Sequence, residues 1–146
     1  MRTLIYSDVH GNLPAFEKML QTEERCDQFI CLGDLVNYGP WSNDCVDLAL
    51  SLPNSIIIKG NHEQFFIDGC YNGQSTQVKR FFEQTYPTFN RKNEIVKFKD
   101  YYNLNNFICS HTINDSYIYP DSLILGSNYI LGHTHHQFKI ENNNYT

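Results

Sequence analysis

A histidine-rich segment near the C-terminus is the first part of the sequence that suggests chemistry. The segment reads NYILGHTHHQ and contains His133, His135 and His136. In an extended chain the side chains of His133 and His135 point to one side, and we expect His136, on the other side, to be exposed. Two neutral imidazoles at a strand end are half of a site for a divalent metal. A hydrated polar turn is the alternative interpretation.

Polar residues also follow the other apolar runs of the chain. The runs TLIYS, QFICLG, SIIIKG, FICS and NYILG lead into SDVHGN, GDLVNYG, GNHE, SHT and GHTHH. Each polar segment, taken alone, has a structural interpretation as a turn, a helix cap or a hydrogen-bonded core histidine. Five such segments in order are better explained by one shared site. The candidate ligands are Asp8, His10, Asp34, Asn61, His111, His133 and His135.

The donor types in this set predict two metal ions. Two carboxylates, one amide oxygen and four imidazoles, without thiolate, suit Mn²⁺, iron, Zn²⁺ or Ni²⁺ better than Mg²⁺ or Ca²⁺. Seven ligands are too many for one ion, but they fit two ions that share a carboxylate, about 3.5–4 Å apart in typical two-metal hydrolases. Water that bridges two such ions loses its proton near neutral pH and becomes a nucleophile.

The apolar runs and the segments between them predict the elements that position these residues. Runs rich in β-branched and aromatic residues are typical of buried strands. NLPAFEKMLQTEE and WSNDCVDLALSL predict helices between the first three strands, with Asn12 as a cap of the first. Alternating strands and helices indicate a parallel sheet, at whose carboxyl edge ligands bind. The predicted inward-facing residues are Leu13, Phe16, Leu20, Val46, Ala49 and Leu50.

The segment between GNHE and SHT has a looser pattern. QSTQVKRFFEQTY predicts a helix, and NEIVKFKDY alternates as an edge strand does. Six of the eleven basic residues lie here, either on a solvated face or on a rim that attracts an anionic substrate. They are Lys79, Arg80, Arg91, Lys92, Lys97 and Lys99.

Length and composition predict one globular domain, residues 1–146, with 41% hydrophobic and 18% charged residues. A net charge of −5 argues against a general nucleic-acid or membrane-surface binder. No apolar stretch is long enough to span a membrane, and the N-terminal run is too short for a signal peptide. The five cysteines show no CxxC spacing, and Cys31 and Cys109 fit a strand core, so we expect a cytoplasmic protein.

The ordered series DxHGN, GD, GNHE, H and GHTH resembles the calcineurin-like metallophosphoesterase superfamily, from about Leu4 to His136. GDLVNYGPWSNDCVDL is most similar to its small bacterial and archaeal phosphodiesterase branch. The resemblance implies an α/β fold, a four-layer α/β/β/α sandwich, with a dinuclear metal site at the carboxyl ends of the strands.

The resemblance also implies a role for each candidate residue. His62 would not be a ligand; it would lie beside the phosphate and protonate or steady the leaving oxygen. The implied ligands are Asp8, His10 and His135 for the first ion, Asn61, His111 and His133 for the second, and Asp34 for both.

Two departures from the family pattern bear on function. Phosphoprotein phosphatases carry GDxxDRG, where this chain has Asn37 and Tyr38. The Asp would orient the acid histidine and the Arg would grip phosphate, so their absence argues against a protein phosphatase; Glu63 is a candidate for part of the orienting role. Relatives usually continue past GHTH with further strands. A short second sheet with an open edge would favour a homodimer.

The sequence therefore predicts a phosphodiesterase that uses two divalent ions, Mn²⁺ in vitro, and a metal-bridging hydroxide on a small nucleotide-like substrate. The alternatives are a dinucleoside-polyphosphate hydrolase and a non-catalytic scaffold, since the superfamily includes a retromer scaffold subunit. A decayed site would have lost at least one ligand position, whereas all seven and His62 are filled here. No membrane association and no protein partner are predicted.

Overall fold

All five apolar runs form β-strands, and one further strand lies between the third and the fourth run. The computed structural model describes residues 1–23, 25–122 and 126–139 of the chain. β-branched and aromatic side chains dominate the strands, as their preference for a pleated, buried surface predicts. The strands are β1 (Thr3–Tyr6), β2 (Gln28–Cys31), β3 (Ser55–Ile57), β4 (Tyr101–Leu104), β5 (Phe107–Ser110) and β6 (Asn128–Leu131).

The first three strands form a parallel sheet in the order β1-β2-β3. Tyr6, Cys31 and Ile57 lie side by side at its carboxyl edge. Helix α1 (Leu13–Thr22) connects β1 to β2, and α2 (Ser42–Ser51) connects β2 to β3. Because the strand ends are level, the residues that follow them meet at one edge, as the sequence predicts.

Helices α1 and α2 pack against this sheet with most of their predicted inner faces. The Asn12 carboxamide accepts the N–H of Ala15 and caps α1, as predicted. The prediction for Leu50 is wrong, because its side chain is 48% exposed and Cys45 is buried in this face instead. Cys45 and Ala49 are one helical turn apart, whereas Leu50 is about 100° further round the helix. The buried residues of the two helices include Phe16, Cys45, Val46 and Ala49.

Helix α3 (Asn61–Asp68) begins directly after β3 and was not predicted. The Glu63 carboxylate accepts the N–H of Gly60 in its first turn, and Gly69 ends the helix in a left-handed conformation. Both are recognisable helix boundary signals. Helix α4 (Thr76–Thr85) lies inside the predicted QSTQVKRFFEQTY segment.

The edge strand predicted for NEIVKFKDY is wrong. The segment contains most of the short helix α5 (Lys92–Ile95) and then a turn. Ile95 and Phe98 are buried three positions apart, while Val96 between them is exposed. The apolar residues therefore follow helical spacing, which a short window does not distinguish from alternation.

The last three strands form a second sheet, in which β4 and β5 are antiparallel and β5 and β6 are parallel. Its inner face packs on the parallel sheet and creates a second core. Helices, first sheet and second sheet form successive layers. Within residues 101–122 and 126–139 no helix follows β4, so the fourth layer stays a prediction. The second core contains Ile5, Ile30, Ile56, Tyr102, Leu104, Cys109 and Ile130.

Cys31 and Cys109 are fully buried core residues, as predicted. All five cysteines are free thiols. None of the helices in the described part of the chain is long and apolar enough to cross a membrane.

Candidate metal centre

The segments that follow β1, β2, β3, β5 and β6 bring all eight predicted site residues together. The N–H groups of Asp8 and His10 donate to the carbonyl oxygens of Gly33 and Asp34, at 3.0 and 2.9 Å, so the first two segments run side by side beyond the sheet. Each strand end delivers one or two donor side chains to the same edge. The eight residues are Asp8, His10, Asp34, Asn61, His62, His111, His133 and His135.

A first donor group consists of Asp8, His10 and His135, whose ligand atoms all lie within 4.8 Å of one another. The Nε2 atoms of the two histidines are 3.1 Å apart. Asp8 Oδ1 lies 3.2 Å from His135 Nε2, is buried, and has no hydrogen bond to any residue that the structure describes. A divalent cation would satisfy this oxygen and both nitrogens.

A second donor group consists of Asp34, His111 and His133, again within 4.8 Å. Asn61 Oδ1 lies 3.0 Å from His111 Nε2 and adds an amide oxygen. The ring of Tyr117 covers His133, with centroids 4.1 Å apart. Sequence reasoning missed Tyr117, because an aromatic residue in a loop carries no signal of this contact.

Asp34 belongs to the second group and lies next to the first. Its Oδ2 lies 3.1 Å from His111 Nε2, 3.9 Å from His10 Nε2 and 4.0 Å from His62 Nε2. Burial disfavours its charge, but the hydrogen bond to His111 and the surrounding imidazoles hold its pKa well below the usual range. Burial likewise disfavours protonated His111, yet the Asp34 carboxylate raises the pKa of His111 to about 9.

Hydrogen bonds to the backbone fix which ring nitrogen carries the proton in two candidate ligands. His10 Nδ1 lies 3.2 Å from the carbonyl oxygen of Val36, and His111 Nδ1 lies 2.8 Å from that of Leu32. A carbonyl can only accept, so each Nδ1 carries a proton, and Nε2 is the ligand atom once the ring is neutral. This outer hydrogen bond is the usual arrangement of metal-binding histidines.

His62 has the opposite tautomer, with its proton on Nε2. The N–H of Tyr38 donates to Asn37 Oδ1 at 2.8 Å, which fixes the orientation of the buried carboxamide. The Asn37 amide nitrogen then faces His62 Nδ1 at 2.9 Å and must donate to it. Neutral His62 therefore carries its proton on Nε2, the atom near Asp34, and burial lowers the pKa of His62 to about 4. His62 also lies within 4.8 Å of His10 and Asp34 as a third group, but in this tautomer its Nε2 presents a hydrogen-bond donor and no free lone pair.

Glu63 does not orient His62, so the role suggested for it is wrong. Its buried carboxylate accepts four backbone N–H groups, at 2.7 to 3.2 Å. These bonds tie the loop after β2 to the start of α3, and Asn37 contacts the histidine instead. The four donors are Asp34, Leu35, Val36 and Gly60.

Five of the eight site residues have left-handed backbone conformations. Their φ angles are 57° at Asp8, 50° at His10, 56° at Asp34, 73° at His133 and 55° at His135. The extended geometry expected for His133 and His135 is therefore wrong. As a result His133 and His135 belong to different donor groups instead of pointing together. Such conformations cost roughly 1 kcal/mol each for residues other than glycine.

Two glycines allow the segments after β2 and β3 to approach each other. A Cβ atom at Gly33, where φ is +108°, would lie 2.7 Å from the backbone nitrogen of Gly60. A Cβ atom at Gly60 would lie 2.1 Å from Asp34 Oδ1. The GD and GN pairs thus place the carboxylate against the N-terminus of α3, where the N–H of His62 donates to it at 2.9 Å.

A cavity of about 420 Å³ opens beside the first donor group. No lysine or arginine is among the described residues that line it, so a bound phosphate would depend on metal ions for neutralisation. The cavity is lined by Asp8, Val9, His10, Asn12, Tyr38, Gly39, Trp41 and His135.

His136 is exposed, as predicted. In the basic segment, Arg91 pairs with Asp47 at 2.7 Å and Lys79 lies 3.9 Å from Glu83.

Comparison with known protein families identifies the chain's relatives. The family model for calcineurin-like phosphoesterases matches residues 1–144. The chain belongs to the calcineurin-like phosphoesterase family. This confirms the family that the motif series predicts, and the helices and two sheets agree with its α/β fold. A curated relative, the uncharacterized protein MJ0912 of Methanocaldococcus jannaschii, is 38% identical over 61 residues, which are 40% of this chain and 25% of that protein.

Solved structures of similar fold include other phosphoesterases. A metallophosphoesterase from Sphaerobacter thermophilus is 31% identical, with a TM-score of 0.63 over 74% of this chain and 45% of its own. A putative diadenosine tetraphosphatase is 20% identical, with a TM-score of 0.56 over 75% and 49%, which shows the fold alone. The chain thus spans less than half the length of each of these proteins.

Proposed function

We propose that this member of the calcineurin-like phosphoesterase family hydrolyses phosphodiester bonds of a small nucleotide-like substrate with two divalent metal ions. The observation that carries the proposal is the pair of neighbouring donor groups, with Asp34 Oδ2 lying 3.1 Å from His111 Nε2 of one group and 3.9 Å from His10 Nε2 of the other. The tautomer of neutral His10 and His111 supports it, because both present Nε2 as a ligand atom.

The residues that would hold the ions are the seven candidate ligands. When bound, the ions would supply a hydroxide nucleophile at neutral pH and neutralise the phosphate. Mixed nitrogen and oxygen donors suit Mn²⁺, iron, Zn²⁺ or Ni²⁺, and we expect Mn²⁺ to support activity in vitro. The proposed ligands are Asp8, His10 and His135 for one ion, Asn61, His111 and His133 for the other, and Asp34 for both.

The proposed role of His62 follows from its hydrogen bonds. Asn37 holds the ring so that Nε2–H points into the site, 4.0 Å from Asp34 Oδ2. From there it can donate a hydrogen bond to the leaving oxygen or to a phosphate oxygen as negative charge develops. His62 thereby steadies the leaving group without being a ligand.

A diester suits this site better than a phosphomonoester. A monoester dianion carries an extra charge that a guanidinium is well suited to bind, whereas the described cavity lining contains no arginine or lysine. Asn37 and Tyr38 occupy the positions where a protein phosphatase would have Asp and Arg. We therefore propose that small diesters are hydrolysed in preference to phosphoproteins.

A dinucleoside-polyphosphate hydrolase is the second candidate. A phosphoanhydride leaves as a stabilised phosphate and needs only a hydrogen bond, which the Nε2–H of His62 offers. The fold likeness to a putative diadenosine tetraphosphatase is compatible with this activity. The scaffold alternative has less support, because every predicted ligand position is filled and brought into the site.

The proposal is tested with chelator-treated protein and bis-p-nitrophenyl phosphate. We expect no hydrolysis until Mn²⁺ or a similar ion is restored, and full activity in protein shown by elemental analysis to be metal-free would refute the dinuclear mechanism. Values of kcat/KM for 2′,3′-cyclic nucleotides, dinucleoside polyphosphates, p-nitrophenyl phosphate and a phosphopeptide then rank the substrate classes. A leading phosphopeptide would contradict the diester preference.

The assembly and location of the protein are part of the proposal. In the part of the second sheet that the structure describes, β6 pairs only with β5 and presents an edge, which we propose as a homodimer contact. The free thiols agree with the proposed cytoplasmic location. Light scattering of the purified protein measures the oligomeric state.

A further inference from the structure

We propose that the cavity beside the first donor group binds the planar aromatic base of the substrate, with Tyr38 and Trp41 as its aromatic walls. This inference rests on the proposed function, because it assumes that the phosphate group lies at the metal centre. It extends that function by assigning residues that recognise the part of the substrate that does not react.

The cavity is lined by two chemically different kinds of residue. Its volume of about 420 Å³ lies within the range of small-molecule sites. Asp8, His10 and His135 supply metal-binding groups, whereas Tyr38 and Trp41 supply aromatic surface. A molecule with a phosphate joined to a flat ring would match both kinds of residue at once.

Trp41 is held by its backbone while its side chain is available for contact. Its N–H donates to the carbonyl oxygen of Gly11 at 3.2 Å, and its own carbonyl accepts the N–H of Cys45 at 2.9 Å at the start of α2. The indole side chain is nevertheless 42% exposed and lines the cavity. Tryptophan offers a large, rigid stacking surface, so a half-exposed one beside a candidate metal centre is suited to a ligand ring.

Tyr38 joins the cavity to the metal centre. Its ring centroid lies 4.5 Å from that of His10, 5.0 Å from that of His62 and 5.2 Å from that of Phe81. These contacts fix the tyrosine ring against the residues that would surround the phosphate. A ring bound beside Tyr38 would therefore be only a short linker away from the reacting phosphorus.

The charge of the lining favours a neutral ring over a second phosphate. Asp8 is acidic, and the described lining residues include no lysine or arginine. Asn12 uses its carbonyl oxygen to accept the N–H of Ala15, which leaves its amide protons for acceptor atoms of a base. A nucleobase combines a stacking face with such acceptors, whereas a polyphosphate chain would find no cation here.

Trp41 is the only tryptophan of the chain, so its fluorescence reports on the cavity directly. The full-length protein is titrated with adenosine 5′-phosphate and with ribose 5-phosphate, each with and without Mn²⁺. We expect saturable quenching by the nucleotide and none by the sugar phosphate. Equal responses to the two compounds, or no response to either, would overturn the proposal.

A variant series tests the same subsite in catalysis. Trp41→Leu keeps an apolar side chain without an aromatic face, and Trp41→Phe keeps the face. For 2′,3′-cyclic AMP we expect Trp41→Leu to raise KM roughly 5–100-fold with little change in kcat, because base stacking contributes in this range, and Trp41→Phe to stay within a few-fold. Phe107→Ala is the control and should leave KM unchanged. Phe107 is an exposed aromatic residue at the start of β5, the end of the strand opposite to the one that His111 follows.

The two proposals fail in different ways. Nucleotide-specific quenching without any metal-dependent hydrolysis would support the base subsite and refute the proposed function. Metal-dependent hydrolysis with the same KM in Trp41→Leu and in the unmodified protein would refute the subsite and leave the function standing. Circular dichroism spectra of the variants confirm that a changed KM does not arise from unfolding.

Discussion

At the scale of single residues, the buried histidines differ in which ring nitrogen is held by the protein and which faces the centre. Backbone carbonyls hold Nδ1 of His10 and His111, while an amide N–H group of Asn37 holds Nδ1 of His62. One hydrogen-bond partner therefore separates residues suited to ligate an ion from a residue suited to donate a hydrogen bond to substrate.

Substitution of His62 and of Asp34 should separate these roles. His62→Ala should lower kcat about 10²–10⁴-fold, the usual range for loss of a positioned proton donor, while both ions stay bound. Asp34→Ala should lose metal as well as rate, because Asp34 Oδ2 lies 3.1 Å from His111 Nε2 of one donor group and 3.9 Å from His10 Nε2 of the other. Elemental analysis of the purified variants measures the metal content, and an empty site in His62→Ala would show that the histidine is a ligand.

Substitution of Asn37 should change the tautomer of His62. In Asn37→Asp a carboxylate replaces the donating amide, so we expect the proton to move from Nε2 to Nδ1. Long-range ¹H–¹⁵N NMR spectra of the metal-free protein distinguish the two tautomers. Asn106→Asp, in the exposed turn between β4 and β5, is a control that should leave the His62 signals in place. An unchanged His62 spectrum in Asn37→Asp would contradict the assignment.

At the scale of elements, the site depends on how the loop after β2 joins the start of α3. The Glu63 carboxylate accepts four backbone N–H groups from these two segments. Glu63→Gln turns one acceptor oxygen into a donor that faces N–H groups, so we expect about 1–3 kcal/mol of lost unfolding free energy. Denaturant unfolding measures the loss, and Glu17→Gln on the exposed face of α1 should change stability by less than about 0.5 kcal/mol. Equal stability of the two variants would contradict this role for Glu63.

Five of the six described strands and three of the five described helices were predictable because their signals are local. Apolar runs predicted β1, β2, β3, β5 and β6, and apolar periodicity with a cap at Asn12 predicted α1. Helix α5 was mistaken for a strand, because the buried spacing of Ile95 and Phe98 emerges only when Val96 is seen to face solvent. Helix α3 was not predicted, because its first turn consists of the polar residues Asn61, His62 and Glu63 and begins no apolar periodicity.

The residues of the candidate site were predictable as a set, but their geometry was not. Their order along the chain indicated a shared centre, yet the left-handed backbone at the strand ends has no signature in residues such as His133 and Asp8. The contact between Asn37 and His62 joins positions 25 residues apart and depends on the tertiary structure. The order of residues in the sequence therefore identified the metal-donor residues, but it did not predict the hydrogen bonds that distinguish the proposed ligands from His62.

At the scale of the whole molecule, ion uptake should be coupled to proton release. His111 has its pKa raised to about 9 by Asp34, so it is protonated in the ion-free protein at pH 7.5 and must lose that proton to ligate. We expect about one proton released per protein at pH 7.5, fewer above pH 9, and weaker binding as the pH falls. Calorimetry of Mn²⁺ binding in buffers of different ionisation enthalpy measures the release, and buffer-independent heats would contradict it.

The left-handed backbone at five donor positions sets function against stability. Each of these residues has a backbone conformation that glycine would adopt at lower free-energy cost. Replacement of a donor residue by glycine should therefore raise the stability of the fold and remove a proposed metal ligand. A laboratory selection for heat resistance alone, without any demand for turnover, should accumulate glycine at positions such as 10, 133 and 135. The persistence of histidine at these positions in a variant population would then indicate that selection still acts on activity.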